Sequence, residues 1–164
     1  MKYGELGEIT EENRILSSQN GTMVFNTKYR YDSWGRIMQI IYPDNEEVNY
    51  SYNTVGQLVR IDSEDQEYLK DVQYNFFDQP TQITYGNDVV TKNEYDITQR
   101  IRAMQVDRPG NSPLMRNVYS YDRNQNITQI KNNVSQHNIL QIGGVYDKKY
   151  EYDDFNRLKF AEGI

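Results

Sequence analysis

The stretch YRYDSWGRI, residues 29–37, decides the fold, because YSYNTVGQL, residues 50–58, repeats its grammar 21 residues later. With the second tyrosine of each Tyr-x-Tyr as an anchor, Tyr31, Tyr52, Tyr74, Tyr95, Tyr121 and Tyr152 fall in register, spaced by 21, 22, 21, 26 and 31 residues. Each is followed by Asp or Asn: Asp32, Asn53, Asn75, Asp96, Asp122 and Asp153. Two residues before the anchors stand Tyr29, Tyr50, Val72, Asn93, Tyr119 and Tyr150, with polar residues between. Apolar and polar residues thus alternate with period two, which is strand geometry.

The columns continue beyond the anchor. Four residues on come Gly35, Gly56, Asp78, Gln99, Gln125 and Asn156; six on come Ile37, Leu58, Pro80, Ile101, Ile127 and Leu158. Nine on come Ile40, Ile61, Ile83, Met104, Ile130 and Ala161. An Asp or Asn leaving a strand accepts backbone N–H bonds two residues ahead, and Gly, Asn or Asp three positions later tolerates the left-handed conformation that closes a type I turn with a bulge. Tyr-Asp-x-x-Gly is therefore expected to be a hairpin corner, with the returning strand marked six and nine residues on. YPDNEEV at 42–48 and YGNDVV at 85–90 turn the chain back. A worn first copy within residues 1–28 is expected at ITEENRI, 9–15, with Ile9 in the anchor column. The two long spacings place extra residues near 107–117 and 132–149, as variable loops or, in the second case, one more hairpin.

One domain over 1–164 is expected from the length. Net charge is −6, from 24 acidic and 18 basic residues, and 15 tyrosines give the chain a β composition. An acidic surface argues against nucleic acid, and no apolar run reaches the roughly 18 residues of a membrane helix. There is no cysteine, hence no disulfide framework and no thiol chemistry. No secretory signal peptide is legible in MKYGELGEIT, and RLKFAEGI breaks off inside a repeat, so a segment of a longer chain is expected.

Tyr-x-Tyr-Asp-x-x-Gly-Arg-Ile at 29–37, repeated in register, resembles the YD repeats of the Rhs family, found in bacterial polymorphic toxins, insecticidal toxin complexes and teneurins. The resemblance implies an all-β fold of tandem antiparallel hairpins, a long twisted and curved sheet that in the complete proteins becomes a hollow shell around a C-terminal toxin or effector. It implies a structural, non-enzymatic role, with further YD repeats and an enclosed toxin as partners, and a secreted or cell-surface location. An isolated segment is expected to self-associate through its free edges. DRPGNSP at 107–113 lacks the order of the family's autoprotease motif and reads as a turn.

The residues suggest no other chemistry. Repeat-defining roles fall to Tyr29, Tyr31, Asp32, Gly35, Arg36, Ile37, Tyr50, Tyr52, Gly56, Leu58, Tyr74, Tyr95, Asp96, Arg100, Tyr119, Tyr121, Asp122, Tyr150, Tyr152, Asp153, Arg157 and Leu158. Arg36, Arg100 and Arg157 are expected to pair with a neighbouring repeat's carboxylate. His137, the only histidine, with Ser135 nearby, reads as an exposed loop residue, since nothing signals an orienting partner or an oxyanion site. DSEDQE at 62–67 reads as solvated turn charge in preference to a calcium loop. No catalytic residue, metal or cofactor is expected. An alternative function is an extracellular binding module in which Trp34, exposed at the corner DSWGR, stacks on a cell-surface glycan or a protein partner. Period alone leaves open which parity of the returning strand, Ile37 and Ile41 or Met38, Ile40 and Tyr42, shares the tyrosine face.

Overall fold

The computed structural model describes residues 1–19, 21–110, 113–136 and 143–163. It contains strands and turns and no helix among those residues: β1 Lys2–Tyr3, β2 Ile9–Ser18, β3 Gly21–Tyr31, β4 Ile37–Ile41, β5 Glu47–Tyr52, β6 Leu58–Asp62, β7 Glu67–Tyr74, β8 Pro80–Tyr85, β9 Val90–Tyr95, β10 Ile101–Asp107, β11 Pro113–Tyr121, β12 Ile127–Asn132, β13 Tyr146–Tyr152 and β14 Leu158–Gly163. The strands form one antiparallel sheet in chain order. This is the all-β tandem-hairpin architecture that the repeat grammar implies. The chain divides into two compact units, Met1–Val72 and Gln73–Ile164.

Within each unit the sequence columns are cross-strand pairs. Tyr29 lies opposite Ile40 and Tyr50 opposite Ile61 in the first unit. Asn93 lies opposite Met104, Tyr119 opposite Ile130 and Tyr150 opposite Ala161 in the second. The anchor faces the residue six positions on: Tyr31 meets Ile37, Tyr52 meets Leu58, Tyr95 meets Ile101, Tyr121 meets Ile127 and Tyr152 meets Leu158.

A one-residue register shift between these two pairs settles the question of parity. In the third strand pair Arg30 faces Gln39 while Tyr31 faces Ile37, so Met38 is the extra residue of a β-bulge. The bulge brings Ile37 onto the face already occupied by Tyr29, Tyr31 and Ile40, and Met38 is left half exposed. The same shift recurs at Ser51/Tyr52, Ser120/Tyr121 and Glu151/Tyr152. Six and nine residues after the anchor thus belong to one face although their separation is odd.

The core is thin. Val48, Leu69, Val72 and Ala103 are the buried hydrophobic residues among those described, and most strand residues are half-buried. A single layer of tyrosine and isoleucine columns is worth roughly 0.2–1 kcal/mol per cross-strand pair, so stability comes from repetition.

The first copy differs from expectation. Residues 9–18 form one uninterrupted strand, so ITEENRI holds no corner. The corner lies earlier, where Gly4 N–H bonds Glu8 O at 2.8 Å and Gly7 N–H bonds Gly4 O at 3.2 Å, with Gly7 at φ 87°. Tyr3, Gly7 and Ile9 therefore take the anchor, glycine and returning-strand columns. The alignment on Ile9 matched a spacing of 22 residues to Tyr31; the true spacing of 28 puts the excess into the long β2–β3 hairpin. Before Tyr152, β12 pairs directly with β13 and residues 133–136 and 143–145 carry no strand; the rest of that excess lies outside the described residues.

Candidate functional site

Each corner is built from the Asp or Asn after the anchor. Asp32 Oδ1 accepts the backbone N–H groups of Trp34 at 2.8 Å and Arg36 at 3.0 Å, and Asp96 Oδ1 accepts those of Thr98 at 2.8 Å and Arg100 at 3.1 Å. Asn53, Asn75, Asp122 and Asp153 bond the same two positions of their own corners. The glycine column takes left-handed φ throughout: 76° at Gly35, 94° at Gly56, 61° at Asp78, 66° at Gln99, 71° at Gln125 and 59° at Asn156. These bonds satisfy turn N–H groups that the hairpin itself leaves unpaired.

The second side-chain atom of the corner residue sets a pairing rule. Asp32, Asp96 and Asp153 each hold the guanidinium four residues on, with Nε at 2.7, 2.8 and 2.7 Å. Asp122 accepts from Asn126 Nδ2 at 3.0 Å, whereas Asn53 and Asn75 donate to Gln57 and Gln79 at 2.7 and 3.0 Å. An acid faces a donor and an amide faces an amide. The arginines thus pair within their own corner, correcting the expectation of a neighbouring repeat's carboxylate. What they touch in the next repeat is the anchor ring: Arg36 lies 4.3 Å over Tyr52 and Arg100 4.4 Å over Tyr121.

Every described corner acid is held below the ordinary carboxylate value of 3.8. For Asp32 and Asp153 the main cause is the backbone N–H of the arginine four residues on; for Asp96 it is the Thr98 hydroxyl, and for Asp122 the Asn126 amide. An ionised carboxylate with two or three donors is a structural cap, and a pKa lowered in this way leaves it no proton to give as a general acid at neutral pH.

The anchor hydroxyl ties repeat to repeat. Tyr31 donates to Ile9 O, Tyr52 to Ile37 O, Tyr95 to Pro80 O, Tyr121 to Ile101 O and Tyr152 to Ile127 O, over 2.7–3.0 Å. In each case the acceptor is the first returning-strand residue of the preceding copy. Burial raises the pKa of Tyr52, Tyr95 and Tyr121 above the ordinary 10.0. Neither this ladder nor the pairing rule came from reading single columns, although the second was visible as Asp with Arg and Asn with Gln at a fixed spacing of four.

Trp34 is 68% exposed at its corner. One ring face carries the Arg36 guanidinium at 4.6 Å, so the indole belongs to a stack that continues onto Tyr52. His137 lies outside the described residues. Among the described residues no group of three His, Cys, Asp or Glu side chains is placed to hold a metal ion. In 62–67, Asp62 and Glu67 both meet Arg60 at 2.6 Å.

A row of antiparallel hairpins, with the anchor tyrosines Tyr31, Tyr52, Tyr95, Tyr121 and Tyr152 each tied to the copy before, is the YD-repeat fold. Solved structures agree: the chain superposes on TcdB2-TccC3 without its hypervariable C-terminal region with a TM-score of 0.80 and 22% identity, over 97% of this chain and 9% of that one. The complex TcdB2-TccC3-Cdc42 gives 0.80 and 21% over the same shares. The Tc holotoxin pore of Photorhabdus luminescens gives 0.79 and 21%, over 94% of this chain and 8% of that one. No family model and no curated protein sequence matches. The chain thus has the fold of a segment of an Rhs-type shell and spans under a tenth of the chains it resembles.

Proposed function

We propose that the chain is a stretch of wall in a YD-repeat shell that encloses or presents a C-terminal toxin or effector outside the producing cell. The anchor-to-carbonyl ladder carries this reading, because its hydrogen bonds join one copy to the next. Stability that depends on neighbours suits a wall and leaves little for a turnover site. No step of catalysis is assigned to the repeats. The test is limited proteolysis of the complete polypeptide: the C-terminal segment is expected to resist protease until the shell is opened by denaturant. Digestion at the rate of the free segment would overturn the reading.

A second reading, glycan or protein recognition, is favoured by the exposure of Trp34. Stacking of a sugar on its free face would change its fluorescence, and Trp34 is the only tryptophan. A saturable change on saccharide titration would support this reading; an unchanged spectrum across neutral and acidic oligosaccharides would remove it.

A further inference from the structure

The seven residues by which the first repeat exceeds its neighbours build an overhang. β4 pairs with β3 only over Lys28–Tyr31, so Gly21–Thr27 has no strand beside it on that side. Asp32 bonds across to Arg36, and every second residue back along β3, including Lys28, Asn26 and Val24, turns its N–H and C=O the same way. This open edge reads GTMVFNT and carries neither charge nor proline, the devices that usually blunt an edge. Met23 and Val24 are 63% and 61% exposed. Between the edge and the β4–β5 turn runs a groove of roughly 720 Å³, lined by Met23, Val24, Phe25, Tyr42 and Pro43 with Asp44 and Glu46 at its mouth.

We propose that this edge accepts an extended cationic peptide as an added antiparallel strand, its backbone bonding Val24 and Asn26, its apolar side chains in the groove and its Lys or Arg residues at the mouth. The charge distribution selects this occupant. Residues 1–72 hold 13 acidic and 7 basic side chains, whereas residues 73–164 hold 11 of each, so the net charge of −6 resides wholly in the unit that carries the groove. Asp44 has no cationic partner among the described residues, and Glu46 is met by the neutral Tyr68 hydroxyl. A second copy would bring a second −6 to the same place. An antiparallel strand entering beside β4 begins at the Tyr42 turn, so the cationic residues belong at the peptide's N-terminal end.

The test is fluorescence anisotropy of a labelled heptapeptide, lysine-lysine-valine-threonine-valine-threonine-valine, with the intact chain. Saturable binding is expected, weakened about tenfold when glutamates replace the lysines or in high salt. N-methylation of the alternate residues that face β3 is expected to abolish it, while N-methylation of the other set leaves it. Asp44→Asn with Glu46→Gln weakens binding, and Val24→Pro removes it. No binding, equal binding of the glutamate peptide, or indifference to both methylation patterns would overturn the proposal. A doubled mass that Val24→Pro restores to monomer would overturn it too, by making the occupant a second copy. The methylated peptides decide the matter even where Val24→Pro fails to fold.

Discussion

At the scale of the residue, the corner acids and amides act as fitted pairs, and a substitution tests the fit. Asp96→Asn is expected to lower the melting temperature, because its Nδ2 then points at the Arg100 Nε, which the carboxylate now accepts at 2.8 Å. Adding Arg100→Gln recreates the arrangement of Asn53 and Gln57 and is expected to recover most of the loss in a double-mutant cycle. Strict additivity of the two losses would contradict the pairing rule. Gln125 sits exposed at φ 71°, where a side chain costs more than glycine's freedom does, so Gln125→Gly is expected to stabilise the chain by about 0.5–1 kcal/mol in denaturant titration. Asn132 is fully buried, accepts the N–H of Arg116 at 2.9 Å and donates to Gly144 O at 2.6 Å. Asn132→Ala leaves both unpaired and is expected to cost about 1–3 kcal/mol.

At the scale of the element, the backbone ladder between consecutive hairpins is reinforced by the anchor phenols. Tyr121→Phe removes the 2.7 Å bond to Ile101 O and is expected to cost about 1 kcal/mol. Tyr119→Phe, at a hydroxyl without a partner among the described residues, is expected to stay within about 0.5 kcal/mol. The pH dependence follows from the same groups. The lowered corner acids contribute stability that is complete above 3.8 and is lost as pH falls below it toward their folded values. The raised anchor tyrosines contribute stability that is complete below 10.0 and is lost as pH rises through their folded values. Circular dichroism is therefore expected to show a plateau between about pH 4 and 10 with losses on both sides; an acid limb unchanged in a variant lacking the corner acids would contradict the assignment.

The columns of Tyr, Ile and Gly were legible in the sequence because turn chemistry and period two both mark them at fixed spacings. The parity of the returning strand was not, since a bulge at Met38 inserts one residue without a sequence mark of its own. The first corner escaped because Gly4 stands where every other copy has Asp or Asn, and Tyr3 with Gly7 was the remaining signal. The arginine contacts escaped because residues four apart across a turn meet each other before they reach a neighbour. The overhang of β2 and β3 was hidden with the first corner, as its length shows only once Tyr3 is the anchor.

For the whole molecule, everything rests on a single claim: one bulged hairpin per repeat, in one register, from the first copy to the last. The most direct measurement is solution NMR of the labelled chain, reading cross-strand contacts. Tyr29 with Ile40, Tyr50 with Ile61, Asn93 with Met104, Tyr119 with Ile130 and Tyr150 with Ala161 are expected to be in backbone contact, with Tyr31 facing Ile37 across the bulge. A one-residue slip in any of these pairs, or an unbulged β4 with Ile37 and Ile40 on opposite faces, would contradict the account.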